Sequence, residues 1–242
     1  MSQAVLISVL DMIKKMLQND EPYDKIIDFI DKSTRDVQLQ ALREQIIKCT
    51  TCEIHNCNHT PFTGNIYSEI MFVGEGPGTE EEKQGVPFVG PAGQLFNKML
   101  DALAQQVHPR WAREKVFISN VVKCWPKSDD PHRTVRQPTT KEIAACKAFL
   151  DKEIELIRPR VIICVGSVAA SVLIHPNFKM TEEHGRFFGD DPKLIAIYHP
   201  SYILRRGEET DEGVELKIQC WNDLLAVNDF LEKNSTETQT HG

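Results

Sequence analysis

The 242-residue sequence contains no run of ~18 apolar residues, so it holds no candidate transmembrane helix. A secretory leader is not expected either, because Asp11, Lys14 and Lys15 interrupt the apolar pattern near the N-terminus. The expected compartment is therefore the cytoplasm, with the nucleoid as a place of action. Positive charge is in short supply: 28 Lys and Arg face 35 Asp and Glu, a net charge of −7. A large non-specific DNA binder is usually basic, so that class is disfavoured, although a small basic cleft gripping a few phosphates is not. The seven cysteines are an odd number with no export signal beside them. Reduced thiols or metal ligands are expected rather than a disulfide framework. There is no internal repeat. The one glycine-rich turn lacks the Gly-Lys-Ser/Thr ending of a phosphate-binding P-loop, and Pro77 breaks a dinucleotide fingerprint, which disfavours a nucleotide-phosphate enzyme.

What is present is the composition of a soluble globular protein, 41% hydrophobic and 26% charged, with length enough for one sizeable core or two small ones. Four short apolar runs read as buried strands, near residues 69–73, 116–122, 160–165 and 193–198. Between them lie segments of helical spacing: residues 92–107, a helix capped by Thr139 or Thr140 and running to about Ile157 with Ile143, Phe149, Leu150, Ile154 and Ile157 expected inward, a short one at 169–174, and a last one marked by Val214, Ile218, Trp221, Leu225 and Leu231. Ahead of the first strand, residues 4–17 and 25–30 have helical spacing, and Ser33 is placed to cap a third helix to about Lys48. Strands alternating with helices predict a three-layer α/β/α sandwich around a central four-stranded parallel sheet. The expected organisation is an N-terminal helical extension over 1–35, the α/β/α domain over 36–232 and a disordered tail over 233–242.

Each polar motif falls directly after a strand: Gly74–Gly78, Asn120–Cys124, Gly166–Ser167 and His199–Ser201. Strand C-termini of a parallel sheet share one edge, so these motifs are expected to converge on one crevice. Glu75 sits inside the first turn, where a carboxylate is well placed for chemistry. Cys49-x-x-Cys52 puts two thiolates within reach of one metal, and Cys124 and Cys146 can complete a tetrahedral set. Cys57 can stand in for one of them, and spacing does not separate zinc from an iron–sulfur cluster. Cys164 and Cys220 read as buried structural thiols.

Assembled in order, these residues resemble the uracil-DNA glycosylase superfamily, and within it the iron–sulfur family often called family 4. The resemblance is carried by Phe72-Val-Gly-Glu-Gly-Pro-Gly78, Gly85-x-Pro-Phe-Val-Gly-x-Ala-Gly93, Ile118-x-Asn-Val-Val-Lys-Cys124 and His199-Pro-Ser-Tyr-x-Leu-Arg205, with Leu42-Arg-x-x-Ile-x-x-Cys49-x-x-Cys52 as the entry to the domain. It covers about residues 40–232. It implies a DNA repair enzyme that flips uracil out of DNA and hydrolyses its N-glycosidic bond. The implied cofactor is a structural [4Fe–4S] cluster on Cys49, Cys52, Cys124 and Cys146, with zinc as the alternative. The implied uracil pocket has Phe88 stacking on the base, Asn120 reading its amide edge, backbone near Gly76 holding a carbonyl and His199 facing O2. Glu75 is the first candidate for the catalytic carboxylate and Glu81 the second, although Glu80-Glu-Glu82 also reads as a solvated charge run. Ser201, Tyr202, Leu204 and Arg205 resemble the family's DNA-intercalation loop, with Leu204 as the wedge. Ser167, Arg205, Arg206, Lys127, Arg133 and Arg136 are candidates for gripping phosphate. The implied partner is uracil-containing DNA, single- or double-stranded, bound by a monomer with no membrane partner.

One departure stands out. The loop from Lys127 to Gln137 is several residues longer than the family's usual connection and carries His132-Arg-Thr-Val-Arg136. A relative that becomes covalently trapped on uracil-DNA uses a basic loop here ending in His. The alignment puts no His at that place, so turnover is expected, with a self-trapping or merely binding protein of the same fold as the alternative.

Overall fold

The four apolar runs form strands because nearly every residue in them is buried. The computed structural model describes residues 3–130 and 135–237. The inner strands, β2 (Ile70–Gly74) and, further along the chain, β4 (Val161–Val165), are covered along their whole length, the mark of parallel strands sandwiched between helices. They pair with each other and with β3 (Phe117–Asn120) and β5 (Lys193–Ile197), all in parallel. The expected parallel four-stranded sheet is present, and one strand is added to it. β1 (Thr63–Gly64) pairs antiparallel with the edge strand β3, giving the order β1-β3-β2-β4-β5. Two residues carry no alternation, so this strand has no signature in the sequence. What permits it is Gly64 at φ 98°, where a Cβ would run into the Val116 carbonyl.

The chain steps from β2 to β3 on one side and from β4 to β5 on the other. Between β2 and β4 the connections diverge, which opens a crevice at the strands' C-terminal ends. Helices α3 (Thr79–Gln84) and α4 (Pro91–Gln106) link β2 to β3, and α5 (Thr140–Ile157) links β3 to β4. Helices α6 (Ser167–Leu173) and α7 (Met180–Glu183) precede β5, and α8 (Pro200–Arg206) and α9 (Asp211–Glu237) follow it. Thr139 is the cap of α5, accepting from the Glu142 amide while Glu142 returns to the Thr139 amide. The core beneath the crevice is aromatic: Phe72 meets Phe96 edge-on at 4.9 Å, and Trp111 is fully buried beside them.

Residues 1–45 and 46–242 form two compact units. The first contains α1 (Gln3–Gln18) and most of α2 (Tyr23–Ile47). The break at Asn19–Glu21 is as the sequence suggests, but no new helix starts at Ser33. α2 runs straight through, its exposed side laced by the i,i+4 pairs Glu21–Lys25, Asp28–Lys32 and Asp31–Arg35. At the other end α9 continues to Glu237, into the stretch expected to be a disordered tail. Residues 238–242 of that tail lie outside the described residues, as do His132 and Arg133 of the long loop.

Candidate active site

The four strand ends open onto one cleft of about 1080 Å³. β2 delivers Glu75 and Gly76, β3 delivers Asn120, β4 delivers Gly166 and Ser167, and β5 delivers Tyr198 and His199. The loop between α3 and α4 adds Phe88, and Glu81 reaches the cleft from α3. Every sequence-predicted residue of the pocket therefore lines the same cavity. The contact at its base is tight. A Cβ placed on Gly74 would overlap Asn120 Oδ1 and lie 2.7 Å from Phe88 Cζ, so the amide and the ring converge over bare main chain. Gly166, at φ 96°, leaves room for His199, whose Cβ would sit 2.9 Å from a Cβ added there.

The tautomer of His199 follows from its neighbours. The amide of Ser201 donates to His199 Nδ1 at 3.1 Å, and a main-chain nitrogen can only donate. Nδ1 is therefore bare and Nε2 carries the proton, with the Ser201 hydroxyl 2.8 Å from Nδ1 as a second partner. Burial first, and then the positive charge of Arg205, push the ring's pKa down to about 4. His199 is thus a neutral donor through Nε2 at physiological pH. Glu75 moves the opposite way. Burial raises its carboxyl to about 7, with Arg205 only partly opposing.

Glu81 is engaged differently. Its Oε1 accepts from the amides of Val89 at 2.9 Å and Gly90 at 2.8 Å, and its Oε2 from the amide of Gly78 at 3.2 Å. It is no solvated member of a charge run but the tie between α3 and the loop that carries Phe88. That loop is unusual. Phe88 itself has φ 56°, a left-handed backbone that L side chains rarely adopt. Its ring rests on Phe96 at 4.7 Å and stands 6.1 Å from the His199 ring.

At the rim, α8 supplies Ser201, Tyr202, Leu204 and Arg205 to the cleft. Tyr202 stacks on Tyr198 at 5.8 Å, with the Arg206 guanidinium 5.1 Å from its ring centre. Arg205 reaches the Ser201 hydroxyl at 3.2 Å and is otherwise exposed. Arg136 also borders the cleft, but both ends of its guanidinium fork lie on Glu142, at 2.9 and 2.6 Å. Its charge is thus taken up at the capped start of α5.

Sequence reasoning overlooked what supports Asn120. Lys123 is 1% exposed, and its ammonium donates to Ser119 Oγ at 2.7 Å, the Asn120 carbonyl at 2.8 Å and Glu153 Oε2 at 2.9 Å. Glu153, also fully buried, accepts from the Ser119 hydroxyl at 2.7 Å. The available signal was Glu153's position, three residues after Leu150 and four before Ile157 on the inward face of α5. The buried stripe of that helix runs through Glu142, Cys146, Leu150, Glu153 and Ile157, while Ile143, Phe149 and Ile154, expected inward, are half-buried.

Just past Asn120 lies a second cluster. Cys57, His59 and Cys124 bring one ligand atom each within 4.8 Å of one another. Cys57 and Cys124 share a hydrogen bond that lowers the first thiol's pKa and raises the second's. Cys49, Cys52 and Cys146 are near enough to feel one another's charge: Cys52 and Cys146 are raised chiefly by burial, with main-chain hydrogen bonds opposing and neighbouring thiolates adding to the rise. Five thiols with one imidazole form a soft donor set suited to zinc or an iron–sulfur centre, and their mutual repulsion is what a bound cation relieves. Of the four cysteines named from the sequence, Cys124 stands in the three-atom group, and Cys49, Cys52 and Cys146 interact electrostatically with it or with one another, so the donor chemistry fits such a group. Cys164 and Cys220 lie elsewhere, buried, each pushed up to about 12 by desolvation.

A family model described as the uracil DNA glycosylase superfamily matches residues 61–225. The chain belongs to the uracil DNA glycosylase superfamily. A Type-4 uracil-DNA glycosylase of Thermotoga maritima is 36% identical, over 83% of this chain and 98% of the relative. One of Archaeoglobus fulgidus is 35% identical over 72% and 87%, and one of Sulfurisphaera tokodaii is 39% identical over 69% and 76%. The span matched by the superfamily model takes in every cleft residue named above and both Cys124 and Cys146. Cys49, Cys52, Cys57 and His59 precede it. No described helix is long and apolar enough to cross a membrane.

Proposed function

We propose that this superfamily member is a DNA repair glycosylase that extrudes uracil from DNA and hydrolyses its N-glycosidic bond, leaving an abasic site. The observation that carries the reading is the convergence of Glu75, Phe88, Asn120 and His199 on a single cleft at the switch point of the sheet. A base inside a duplex cannot be attacked, so it must be turned out, at a cost of a few kcal/mol. Phe88 then stacks on the pyrimidine, and the amide of Asn120 pairs with the N3–H and O4 edge. Cytosine would set its amino group against the Asn120 donor and leave a polar group unpaired, which is the basis of selection. A backbone amide near Gly76 holds a carbonyl.

As the bond between C1′ and N1 breaks, its electron pair moves into the uracil ring and charge builds on O2. His199, neutral and protonated at Nε2, donates to that oxygen. The sugar becomes cationic and takes a water oxygen at C1′, with ionised Glu75 orienting the water and accepting its proton. We favour Glu75 over Glu81 for this role because the Glu81 oxygens are occupied by three main-chain amides, whereas burial tunes Glu75 to about 7. Ser167, Ser201, Tyr202, Leu204 and Arg205 contact the DNA, Leu204 filling the gap left by the base. Arg136 would reach phosphate only by leaving Glu142.

We also propose that Cys49, Cys52, Cys124 and Cys146 hold a [4Fe–4S] cluster. Bound there, the group supplies cross-linking of three chain segments rather than chemistry on the substrate. The active chain is a monomer, with residues 36–232 as the catalytic domain and 1–35 as an extension to it. The test uses oligonucleotides with U·G, U·A and single-stranded U. Release of free uracil over many turnovers, abolished or much slowed in Glu75→Gln, supports the reading. Absence of release on all three substrates overturns it, and an SDS-resistant adduct replaces turnover by trapping.

A further inference from the structure

We infer that Arg113, outside the cleft, is a positioning residue for the Phe88 platform; this rests on the glycosylase reading for its kinetic meaning. Arg113 follows the short helical turn Pro109–Trp111 and precedes β3. The buried indole of Trp111 anchors that segment in the aromatic core. From there the guanidinium fork reaches two acceptors at once: Nη2 donates to the Pro87 carbonyl at 2.6 Å and Nη1 to Asn97 Oδ1, on α4, at 2.6 Å. Burial pushes the pKa of Arg113 down and the facing carboxylate of Glu81 partly restores it, so a cation and an anion flank the same loop.

Residues 87–90 of that loop are therefore held from both sides. Arg113 takes the carbonyl just before Phe88, and Glu81 takes the two amides just after it. Between them Phe88 keeps its left-handed φ of 56°. Gly93 lies so close beneath that a Cβ there would overlap the Phe88 carbonyl. A residue in a sparsely populated backbone region persists only where its surroundings over-determine it. Arg113 neither lines the cleft nor belongs to α3, α4 or the loop between them, and it joins that loop to the segment that leads into Asn120. A lysine in its place offers one point charge where two acceptors require a planar fork.

The test has two arms. The first is hydrogen exchange in wild-type protein, Arg113→Ala and Arg113→Lys. The amides of Val89 and Gly90 should exchange at least ~10-fold faster in both variants, while β4 and α5 stay protected. Unchanged exchange in this loop overturns the proposal, and this arm needs no activity. The second is single-turnover uracil excision in a double-mutant cycle with Phe88→Ala. Arg113→Ala should slow excision by ~10- to 100-fold when Phe88 is present and by less than ~3-fold when it is absent. An equal loss in both backgrounds means that Arg113 acts elsewhere and overturns the proposal. Arg113→Lys serves both arms should Arg113→Ala fail to fold. A wild-type protein that releases no uracil overturns the glycosylase reading alone, and the exchange arm still decides the role of Arg113.

Discussion

His199 and Glu75 lie in the same desolvating cleft, and burial pushes them both toward neutrality from opposite sides. For His199 this makes the imidazole a hydrogen-bond donor rather than an acid, with a pKa near 4 and the proton fixed on Nε2 by the Ser201 amide. His199→Ala should lower the single-turnover rate by about 10²- to 10³-fold, the usual worth of one donor to a developing anion. For Glu75 the group must be ionised to act. Its carboxyl is raised to about 7, so it is protonated below that value and charged above it. Excision should therefore rise with pH through about 7 and level off, and a pH–rate profile of Glu75→Gln should lose that rise. A wild-type rate flat from pH 5 to 9 would remove Glu75 from the proton-accepting role. Which residues stand in the pocket was legible in the sequence, because Asn120, Phe88 and His199 each follow a strand or flank a glycine turn. How they are protonated was not, since that comes from burial and from Arg205 on another element. Glu81 was read as a possible catalyst or as solvated charge for the same reason: its partners, the amides at 89 and 90, are set by a loop fold that no local pattern announces.

At the scale of elements, β3 depends on charges hidden beneath it. The Lys123 ammonium and Glu153 carboxylate, 1% and 0% exposed at their side chains, tie the Asn120 carbonyl to α5. Removing one partner strands the other without solvent. Glu153→Ala and Lys123→Met should each cost about 3–5 kcal/mol in chemical denaturation, because either one leaves the other partner's charge buried and unpaired. Gly93→Ala should act more locally. The added methyl overlaps the Phe88 carbonyl, so excision should fall while the visible absorption near ~400 nm expected of the proposed iron–sulfur centre persists. A colourless, zinc-loaded and fully active preparation would displace the cluster assignment. The start of α5 was legible to within one residue, as Thr139 or Thr140, and the capping box with Glu142 decides for Thr139. Its buried face was less so: apolar spacing pointed to Ile143 and Phe149, whereas ion pairing lets Glu142 and Glu153 occupy the inward stripe.

Across the whole molecule, a net charge of −7 coexists with a basic rim. Arg205 and Arg206 on α8 stand exposed beside Tyr202, and Lys127 is exposed beside Trp125 in the loop after β3. A footprint of two or three cations predicts a shallow salt dependence of duplex binding, a log–log slope of about −2 to −3, and Arg205→Ala should flatten it by roughly one unit. A slope steeper than about −6 would mean that other faces of the protein also hold DNA. The parallel order of the inner strands followed from alternation of strand and helix. The fifth strand did not, being two residues long and dependent on the conformation of Gly64.

Gly74 has a lasting effect on substrate range. The Asn120 amide oxygen and the Phe88 ring crowd the space above it, with no side chain between them and the main chain. The floor of the recognition chamber is peptide backbone, and amino-acid replacement cannot shorten a backbone. With Phe88 and Asn120 in the roles proposed for them, bulkier lesions can gain admission only by trading those two groups themselves, so a wider appetite and a sharper one cannot be acquired together.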